Sequence, residues 1–148
     1  INGFCFTGGL ELALSADLIY ISNEAKLGDT HAILGFRPSW GLTQRLPKYI
    51  GIARAKELSF TAKTISGIQA VEYGIALEAF PINELDSRVN EIAIKISQNS
   101  PNSIKAYKDL YLAASNKGLT EGLKYEANTS YDIPEVKERV QEFLKKLR

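Results

Sequence analysis

The feature that most constrains this chain is a pair of adjacent glycines near its start, Gly8 and Gly9. A short strand-like run precedes the pair, and an apolar segment of helical character follows it. Because glycine has no side chain, the backbone at such a strand-to-helix turn can approach a bound group closely. The first N–H groups of a helix have no acceptor inside it and lie at the positive end of its dipole. The pattern therefore favours a site for an anion or a developing oxyanion, with the Gly8 N–H as the candidate donor.

Glu11 falls in the first turn of the predicted helix, among leucine and alanine side chains. A carboxyl group beside an oxyanion donor suits proton transfer on an acyl group. A structural interpretation is also open, since an acidic residue in a first turn compensates the helix dipole and a glycine pair can simply form a turn. A dinucleotide or phosphate loop is disfavoured, because neither Gly-x-Gly-x-x-Gly nor Gly-Lys-Ser/Thr occurs.

Length and composition are those of one folded domain. A chain of 148 residues, with 45% hydrophobic and 24% charged residues, is long enough to bury a core. Its 18 basic and 17 acidic residues give a net charge of +1, so we expect no nucleic-acid or membrane partner that relies on a broad basic surface. No apolar run approaches the roughly 20 residues of a membrane span, and no signal-peptide pattern opens the chain.

The chain contains one cysteine, Cys5, and one histidine, His31. A single cysteine excludes an internal disulfide, and one histidine far from it makes a poor zinc site or thiol-based catalytic pair. The sequence therefore predicts no metal, and it predicts that Cys5 is a small buried hydrophobic residue.

The apolar periodicity predicts an α/β part over residues 1–80 and a helical part over residues 81–148. The predicted elements are a helix over about 9–15, a strand at 18–21, a loop over 28–39, helices at 41–50 and 52–60, a short helix between 66 and 74, a strand at 76–80 and helices from about 82 onward. Pro47 is expected inside the second helix, and Ser66 as the N-cap of the short one. Two apolar stripes in the helical part either pack on the core or face other subunits. They are Leu85, Val89, Ile92, Ala93 and Ile96, and Ile104, Tyr107, Leu110, Tyr111 and Ala114.

Several motifs in the first third of the chain occur in an order and spacing that one known family shares. They are Asn2-Gly3-Phe4, Gly8-Gly9-Leu10-Glu11-Leu12-Ala13, Asp17, Lys26-Leu27-Gly28, Leu34-Gly35, Pro38 and Gly41-Leu42-Thr43-Gln44-Arg45-Leu46. Together they resemble the enoyl-CoA hydratase/isomerase (crotonase) family, and a weaker resemblance continues to the C-terminal helices. The resemblance implies a ClpP/crotonase-like spiral core and an acyl-CoA thioester substrate. It gives Gly8 half of the oxyanion hole and Glu11 the role of acid/base, with no cofactor apart from the coenzyme A of the substrate.

The resemblance also implies features beyond this core. A segment before Ile1 would carry the other oxyanion N–H and much of the CoA surface, so targeting cannot be judged; a bacterial protein would be cytoplasmic. The C-terminal helices would build a homotrimer, commonly paired into a hexamer. The run Phe143-Leu144-Lys145-Lys146 resembles the family's Phe-x-x-Lys pattern. Phe143 would then line the acyl or pantetheine path and Lys146 would meet a CoA phosphate, unless the run is simply a solvated helix end.

The chain departs from the family's usual pattern at His31. In a two-carboxylate hydratase of this family, the second catalytic glutamate aligns with His31 within Asp29-Thr30-His31-Ala32. Adding water to a conjugated double bond needs one group that takes a proton from water and another that places a proton on the α-carbon. A neutral imidazole can take that proton near neutral pH. Asp29 is the other candidate for the second group, and a purely structural histidine is the third interpretation.

A site with one carboxylate also suits reactions that need a single acid/base. Double-bond isomerisation is one, because a single carboxylate can move a proton between carbons while the oxyanion site stabilises the enolate. Ser39 stands where the dienoyl-CoA isomerase branch carries an aspartate, which argues against that branch. The preferred prediction is a hydratase-like enzyme. The alternatives are an enoyl-CoA isomerase that uses Glu11 alone, or a non-catalytic acyl-CoA-binding or oligomerisation module.

Overall fold

The structure, a computed structural model, describes residues 1–147. Short strands alternate with helices up to residue 80, and the described elements beyond it are helices. The strands are β1 (Phe4–Phe6), β2 (Tyr20–Ser22), β3 (Lys26–Gly28), β4 (Ile65–Ser66) and β5 (Glu78–Phe80). The helices are α1 (Gly8–Ala13), α2 (His31–Leu34), α3 (Leu42–Ile50), α4 (Ile52–Thr61), α5 (Gly67–Glu72), α6 (Ile82–Ser97), α7 (Pro101–Asn116), α8 (Leu119–Asn128) and α9 (Val136–Lys146).

The strands form two small sheets. β1 pairs in parallel with β3, which pairs antiparallel with β4, and β2 pairs in parallel with β5. A parallel pair needs a long crossover between its strands, and α1 lies in the crossover from β1 to β3. In that pair Phe6 lies opposite Gly28, so β1 and β3 end side by side. The turns that follow them, at Thr7 and at Asp29, therefore meet at one edge of the sheet.

Apolar side chains from both sheets and their neighbouring helices form one core in the first part of the chain. Leu10, Ile21, Leu27 and Leu46 are each 0% exposed. Burying such a side chain stabilises the fold by about 1.5–3 kcal/mol relative to leaving it exposed. Cys5 belongs to the same core, as the sequence predicted, and burial raises the pKa of its thiol. The thiol therefore stays protonated near neutral pH and is no nucleophile.

Two local predictions about the first part are confirmed. Pro47 lies inside α3. Ser66 caps α5 reciprocally with Gln69: the Ser66 Oγ accepts the Gln69 N–H at 3.2 Å, and the Gln69 Oε1 accepts the Ser66 N–H at 2.9 Å. This capping box satisfies two main-chain donors at the start of the helix. The helix ends at Glu72, just before Gly74 turns the chain with φ of 83°.

Several predicted boundaries are wrong. The helix predicted over 9–15 spans Gly8–Ala13, and the strand predicted at 18–21 spans Tyr20–Ser22. The stretch predicted as a loop over 28–39 contains the last residue of β3 and the whole of α2. These elements are three and four residues long, too short to produce a recognisable apolar period.

The chain packs as two units. The first, Ile1–Glu91, contains both sheets, and the second comprises the end of α6 with α7, α8 and α9, as far as residues 92–147 are described. The two predicted apolar stripes lie on α6 and α7, which confirms their helical form. Tyr107 and Tyr111 of α7 are nevertheless 57% and 72% exposed, so packing within this chain leaves part of the second stripe uncovered. Across residues 1–147, no helix is both long and apolar enough to cross a membrane.

Candidate active site

The turn between β1 and α1 has an unusual backbone conformation at Thr7. Thr7 has φ of 52° and ψ of −115°, which a residue with a side chain rarely adopts. Such a conformation costs about 1–3 kcal/mol and is retained where surrounding contacts fix it. The Thr7 N–H donates to Gly28 O at 3.1 Å, and the hydroxyls of Thr7 and Thr30 are hydrogen-bonded to each other. These contacts join the turn after β1 to the turn after β3.

Glu11 lies one helical turn beyond Thr7 and is 2% exposed. Its N–H donates to Thr7 O at 3.0 Å, and its side chain contacts the loop before α3. There its Oε1 accepts two main-chain hydrogen bonds, from the N–H of Trp40 at 2.8 Å and from that of Leu42 at 3.2 Å. Main-chain donors thus bind one carboxyl oxygen of Glu11, and the other oxygen, Oε2, lies 3.6 Å from His31 Nε2.

His31 begins α2 and is 7% exposed. Its Nδ1 lies 2.6 Å from Asp29 Oδ1, and its main-chain N–H donates to the same oxygen at 3.1 Å. Asp29 itself is 2% exposed. A buried ring held on one nitrogen by a carboxylate presents its other nitrogen, Nε2, in a fixed direction, here toward Glu11.

Trp40 covers the turn at Gly8. A Cβ built on Gly8 would lie 3.0 Å from Trp40 Cζ3, so the indole packs against the glycine backbone. As the first residue of α1, Gly8 has an N–H without an acceptor inside the helix. A side chain at position 8 would therefore force the indole to shift by a few tenths of an ångström.

These residues surround an open cavity of about 550 Å³. Its lining residues are Thr7, Gly8, Glu11, His31, Phe36, Arg37, Ser39 and Trp40. Asp29 is not among them, since it contacts the far side of the His31 ring from Glu11. The cavity thus combines a carboxyl oxygen, an imidazole nitrogen and a glycine turn on one wall, an arrangement suited to moving protons on a bound molecule.

The structure brings four of the residues singled out in the sequence into one cluster, namely Gly8, Glu11, His31 and Asp29. Phe143 and Lys146 lie on α9 in the second unit, and both are exposed. Within residues 1–147, no group of three or more histidine, cysteine or carboxylate side chains is arranged to hold a metal ion.

Sequence reasoning missed three residues of the site: Thr7, Thr30 and Trp40. A possible signal for Trp40 was its position immediately before Gly41, as the only tryptophan of the chain. No local sequence pattern predicts the role of Thr7, because that role depends on its backbone angles and on a hydrogen bond to the Thr30 hydroxyl, 23 positions away.

The chain belongs to the enoyl-CoA hydratase/isomerase family, whose sequence model matches residues 1–148. This is the crotonase family that the motifs indicated, so that prediction is confirmed. The chain is 37% identical over 119 residues to a short-chain-enoyl-CoA hydratase of Clostridium acetobutylicum, covering 80% of this chain and 44% of that protein. It is 36% identical over 124 residues to a carnitinyl-CoA dehydratase of Proteus mirabilis, covering 84% and 48%. The chain spans about half the length of the curated relatives it matches.

Solved structures show the same fold. An enoyl-CoA hydratase from Bacillus anthracis superposes with a TM-score of 0.91 at 35% identity, over 99% of this chain and 58% of that one. A Thermobifida fusca protein in complex with acetoacetyl-CoA superposes with a TM-score of 0.81 at 30% identity, over 84% and 49%. The prediction of an α/β crotonase-type core followed by helices is confirmed by these likenesses.

Proposed function

We propose that the protein containing this chain is an enoyl-CoA hydratase, which adds water to the double bond of a 2-enoyl-CoA thioester. The observation that carries the proposal is that two proton-transferring atoms, Glu11 Oε2 and His31 Nε2, lie 3.6 Å apart at one cavity. Hydration needs such a pair, because one group takes a proton from the attacking water and the other places a proton on the α-carbon.

The relatives support the substrate class. One is named a short-chain-enoyl-CoA hydratase, another a carnitinyl-CoA dehydratase, and a third was solved with acetoacetyl-CoA. All three names refer to an acyl group on coenzyme A. We therefore propose an acyl-CoA thioester as substrate, with coenzyme A as part of it and no separate cofactor.

In the proposed reaction the thioester carbonyl oxygen accepts a hydrogen bond from the Gly8 N–H. The water oxygen bonds to the β-carbon while His31 Nε2 takes one of its protons. The electron pair of the double bond moves toward the carbonyl, where the Gly8 N–H stabilises the resulting enolate oxygen. Glu11, protonated on Oε2, then places its proton on the α-carbon as the carbonyl re-forms. Transfer of the proton from His31 to Glu11 restores the starting state, and one water has been added.

Three further assignments belong to the same proposal. Phe143 lines the acyl or pantetheine path, and Lys146 meets a CoA phosphate as a compact positive charge. The protein assembles as a homotrimer or a hexamer. The exposed face of α7 around Tyr107 and Tyr111 supports assembly, because large apolar surfaces on helices are commonly covered by a partner.

The test separates hydration from proton exchange in the complete gene product that contains this chain. Hydration is followed by loss of the absorbance of a short 2-enoyl-CoA, and exchange by deuterium uptake at the α-carbon of a saturated acyl-CoA. Exchange needs only the enolate site and Glu11, whereas hydration also needs the water-handling group. Glu11→Gln should lower both rates about a hundred- to ten-thousand-fold without changing CoA affinity. His31→Ala should lower hydration by a similar factor and leave most of the exchange.

A folding defect would lower both rates of His31→Ala together, so the two assays control each other. His31→Glu should restore hydration, because it rebuilds a pair of carboxylates. Glu72→Gln, at an exposed position on α5, serves as the neutral control. Equal hydration by the wild type and His31→Ala would assign His31 a structural role, and double-bond isomerisation without hydration would favour the isomerase that uses Glu11 alone. Acyl-CoA binding without any turnover would favour the non-catalytic module.

A further inference from the structure

We propose that Asp29 is a positioning residue that holds His31 as the tautomer with its proton on Nδ1, so that Nε2 is an acceptor facing Glu11. The inference rests on the proposed function, because it assigns the atom that takes the proton from water. It also removes the choice between Asp29 and His31 as the second proton-transferring group: His31 meets the cavity, and Asp29 acts through it.

The tautomer follows from the two hydrogen bonds that converge on one oxygen. Asp29 Oδ1 lies 3.1 Å from the main-chain N of His31 and 2.6 Å from its Nδ1. A main-chain N–H can only donate, so Oδ1 acts as an acceptor in that contact. An acceptor oxygen that is also 2.6 Å from a ring nitrogen fits a proton on that nitrogen. A neutral imidazole carries one N–H, and so its Nε2 has the free electron pair.

Burial and local geometry keep the ring from turning. Asp29 and His31 are 2% and 7% exposed, so little water competes for their hydrogen bond, and bonds to an ionised acceptor are strong in such surroundings. Thr30, between them, is anchored through its hydroxyl to Thr7. The loop that carries the aspartate is therefore fixed to the same turn that presents Gly8, and a ring flip would leave the buried Asp29 carboxylate without its ring donor.

The fixed Nε2 defines the water position. At 3.6 Å, Nε2 and Glu11 Oε2 are too far apart for a direct hydrogen bond, but one water oxygen at about 2.8 Å from each atom would bridge them. Such a water donates to Nε2. Because Glu11 Oε1 is already occupied by the N–H groups of Trp40 and Leu42, Oε2 is the oxygen that contacts the water. When His31 gains the proton, the Asp29 carboxylate stabilises the imidazolium, as an aspartate does in a Ser-His-Asp triad.

The first experiment reads the tautomer directly. His31 is the only histidine of the chain, so selective ¹⁵N labelling of histidine in the complete gene product gives one pair of ring nitrogen signals from this chain, which His31→Ala identifies by their loss. At a pH where the ring is neutral, we expect Nδ1 to resonate as a protonated nitrogen and Nε2 as an unprotonated one. In Asp29→Ala we expect the pattern to move toward the Nε2–H form, whereas Asp132→Ala, at an exposed position, should leave it unchanged.

The wild-type spectrum alone decides the main claim, even if Asp29→Ala does not fold. A wild-type ring protonated on Nε2 would overturn the inference. So would a folded Asp29→Ala variant with the wild-type pattern, since the aspartate would then not set the tautomer.

The second experiment measures the consequence in the complete gene product. Asp29→Asn keeps the side-chain size and removes the charge that stabilises the imidazolium. We expect kcat for hydration to fall about a hundred- to ten-thousand-fold with little change in KM, while α-carbon exchange by Glu11 persists. An unchanged kcat would overturn the positioning role. A wild type that shows the expected tautomer but no hydration would instead refute the proposed function, so the two failures are distinguishable.

Discussion

Gly8 carries a constraint that Gly9 does not share, because the indole of Trp40 packs against it. A Cβ at Gly8 would lie 3.0 Å from the ring, whereas a Cβ at Gly9 would meet nothing within 4 Å. We predict that Gly8→Ala shifts the indole, which is already 68% exposed, and thereby changes its fluorescence emission spectrum. Gly9→Ala should leave the emission unchanged and stabilise α1 by about 0.5–1 kcal/mol. The fluorescence of Trp40, the single tryptophan of the chain, reports the environment of the indole in both variants.

Displacement of Trp40 would also affect Glu11, because the Trp40 N–H donates to the carboxyl oxygen that fixes its orientation. Gly8→Ala should therefore lower hydration in the complete gene product, and Gly9→Ala should not. Identical emission spectra of the two variants would show that the ring packs elsewhere, and would remove the packing argument for glycine at position 8.

Residues of the site could be predicted where a local motif carries them. Gly8 and Glu11 stand in a glycine turn and a first helical turn, and both patterns are visible in the sequence. Trp40 could not be predicted in the same way, since its N–H meets Glu11 across 29 positions. The same holds for the roles of Asp29 and His31: their spacing made both candidates, but only the buried hydrogen bond between them separates the residue at the cavity from the one behind it.

At the scale of an element, the start of α5 is determined by one close backbone approach. A Cβ at Gly67 would lie 1.9 Å from Ser22 O on β2, and a main-chain atom in a paired strand cannot move aside cheaply. We predict that Gly67→Ala destabilises the fold by about 1–3 kcal/mol or more, as overpacking does. Ser66→Ala, which removes the cap of the same helix, should cost about 1 kcal/mol. Denaturant unfolding followed by circular dichroism measures both values.

Gly122→Ala is the matched control, because its Cβ would meet nothing within 4 Å in the middle of α8. It should stabilise its helix by roughly 0.8–1 kcal/mol through propensity alone. A Gly67→Ala variant as stable as the wild type would mean that α5 can move away from β2. That result would contradict the close approach of Gly67 to the main chain of Ser22.

Elements of the fold differ in how well the sequence predicts them. The cap of α5 could be predicted because Ser66 and Gln69 have the spacing of a capping box. The long helices could be predicted from the helical period of their apolar residues. β3 and α2 could not be predicted, because each covers little more than one period of its own pattern. In addition, α2 begins where the Asp29 side chain accepts the His31 N–H. Tertiary contacts, and not local propensity, define these short elements.

The two units of the whole molecule are stabilised differently. The first has a continuous apolar core, whereas among residues 92–147 only Ser100 and Ala106 are buried. In the second unit, polar contacts join distant parts of the chain. Asp109 of α7 accepts hydrogen bonds from the hydroxyls of Tyr131 at 2.6 Å and Tyr125 at 2.9 Å, and these bonds hold the pKa of Asp109 below its usual value.

Glu135 provides the other contact of this kind, and it makes the second unit sensitive to acid. Its carboxylate accepts hydrogen bonds from the Ser100 hydroxyl and, at 3.0 Å, from the Asn102 amide, and these bonds lower its pKa from 4.5 to about 2. Because the folded state has the lower pKa, the contact stabilises the fold fully above pH 4.5, and the stabilisation is lost as the pH falls toward about 2.

We therefore predict that Glu135→Gln lowers the free energy of unfolding at neutral pH, and that the difference in free energy of unfolding between this variant and the wild type narrows between pH 4.5 and about 2. Denaturant unfolding at a series of pH values measures that difference, with Glu142→Gln, at an exposed position on α9, as the control. A gap between wild type and Glu135→Gln that stays constant down to pH 2 would show that the carboxylate charge is not what these hydrogen bonds require.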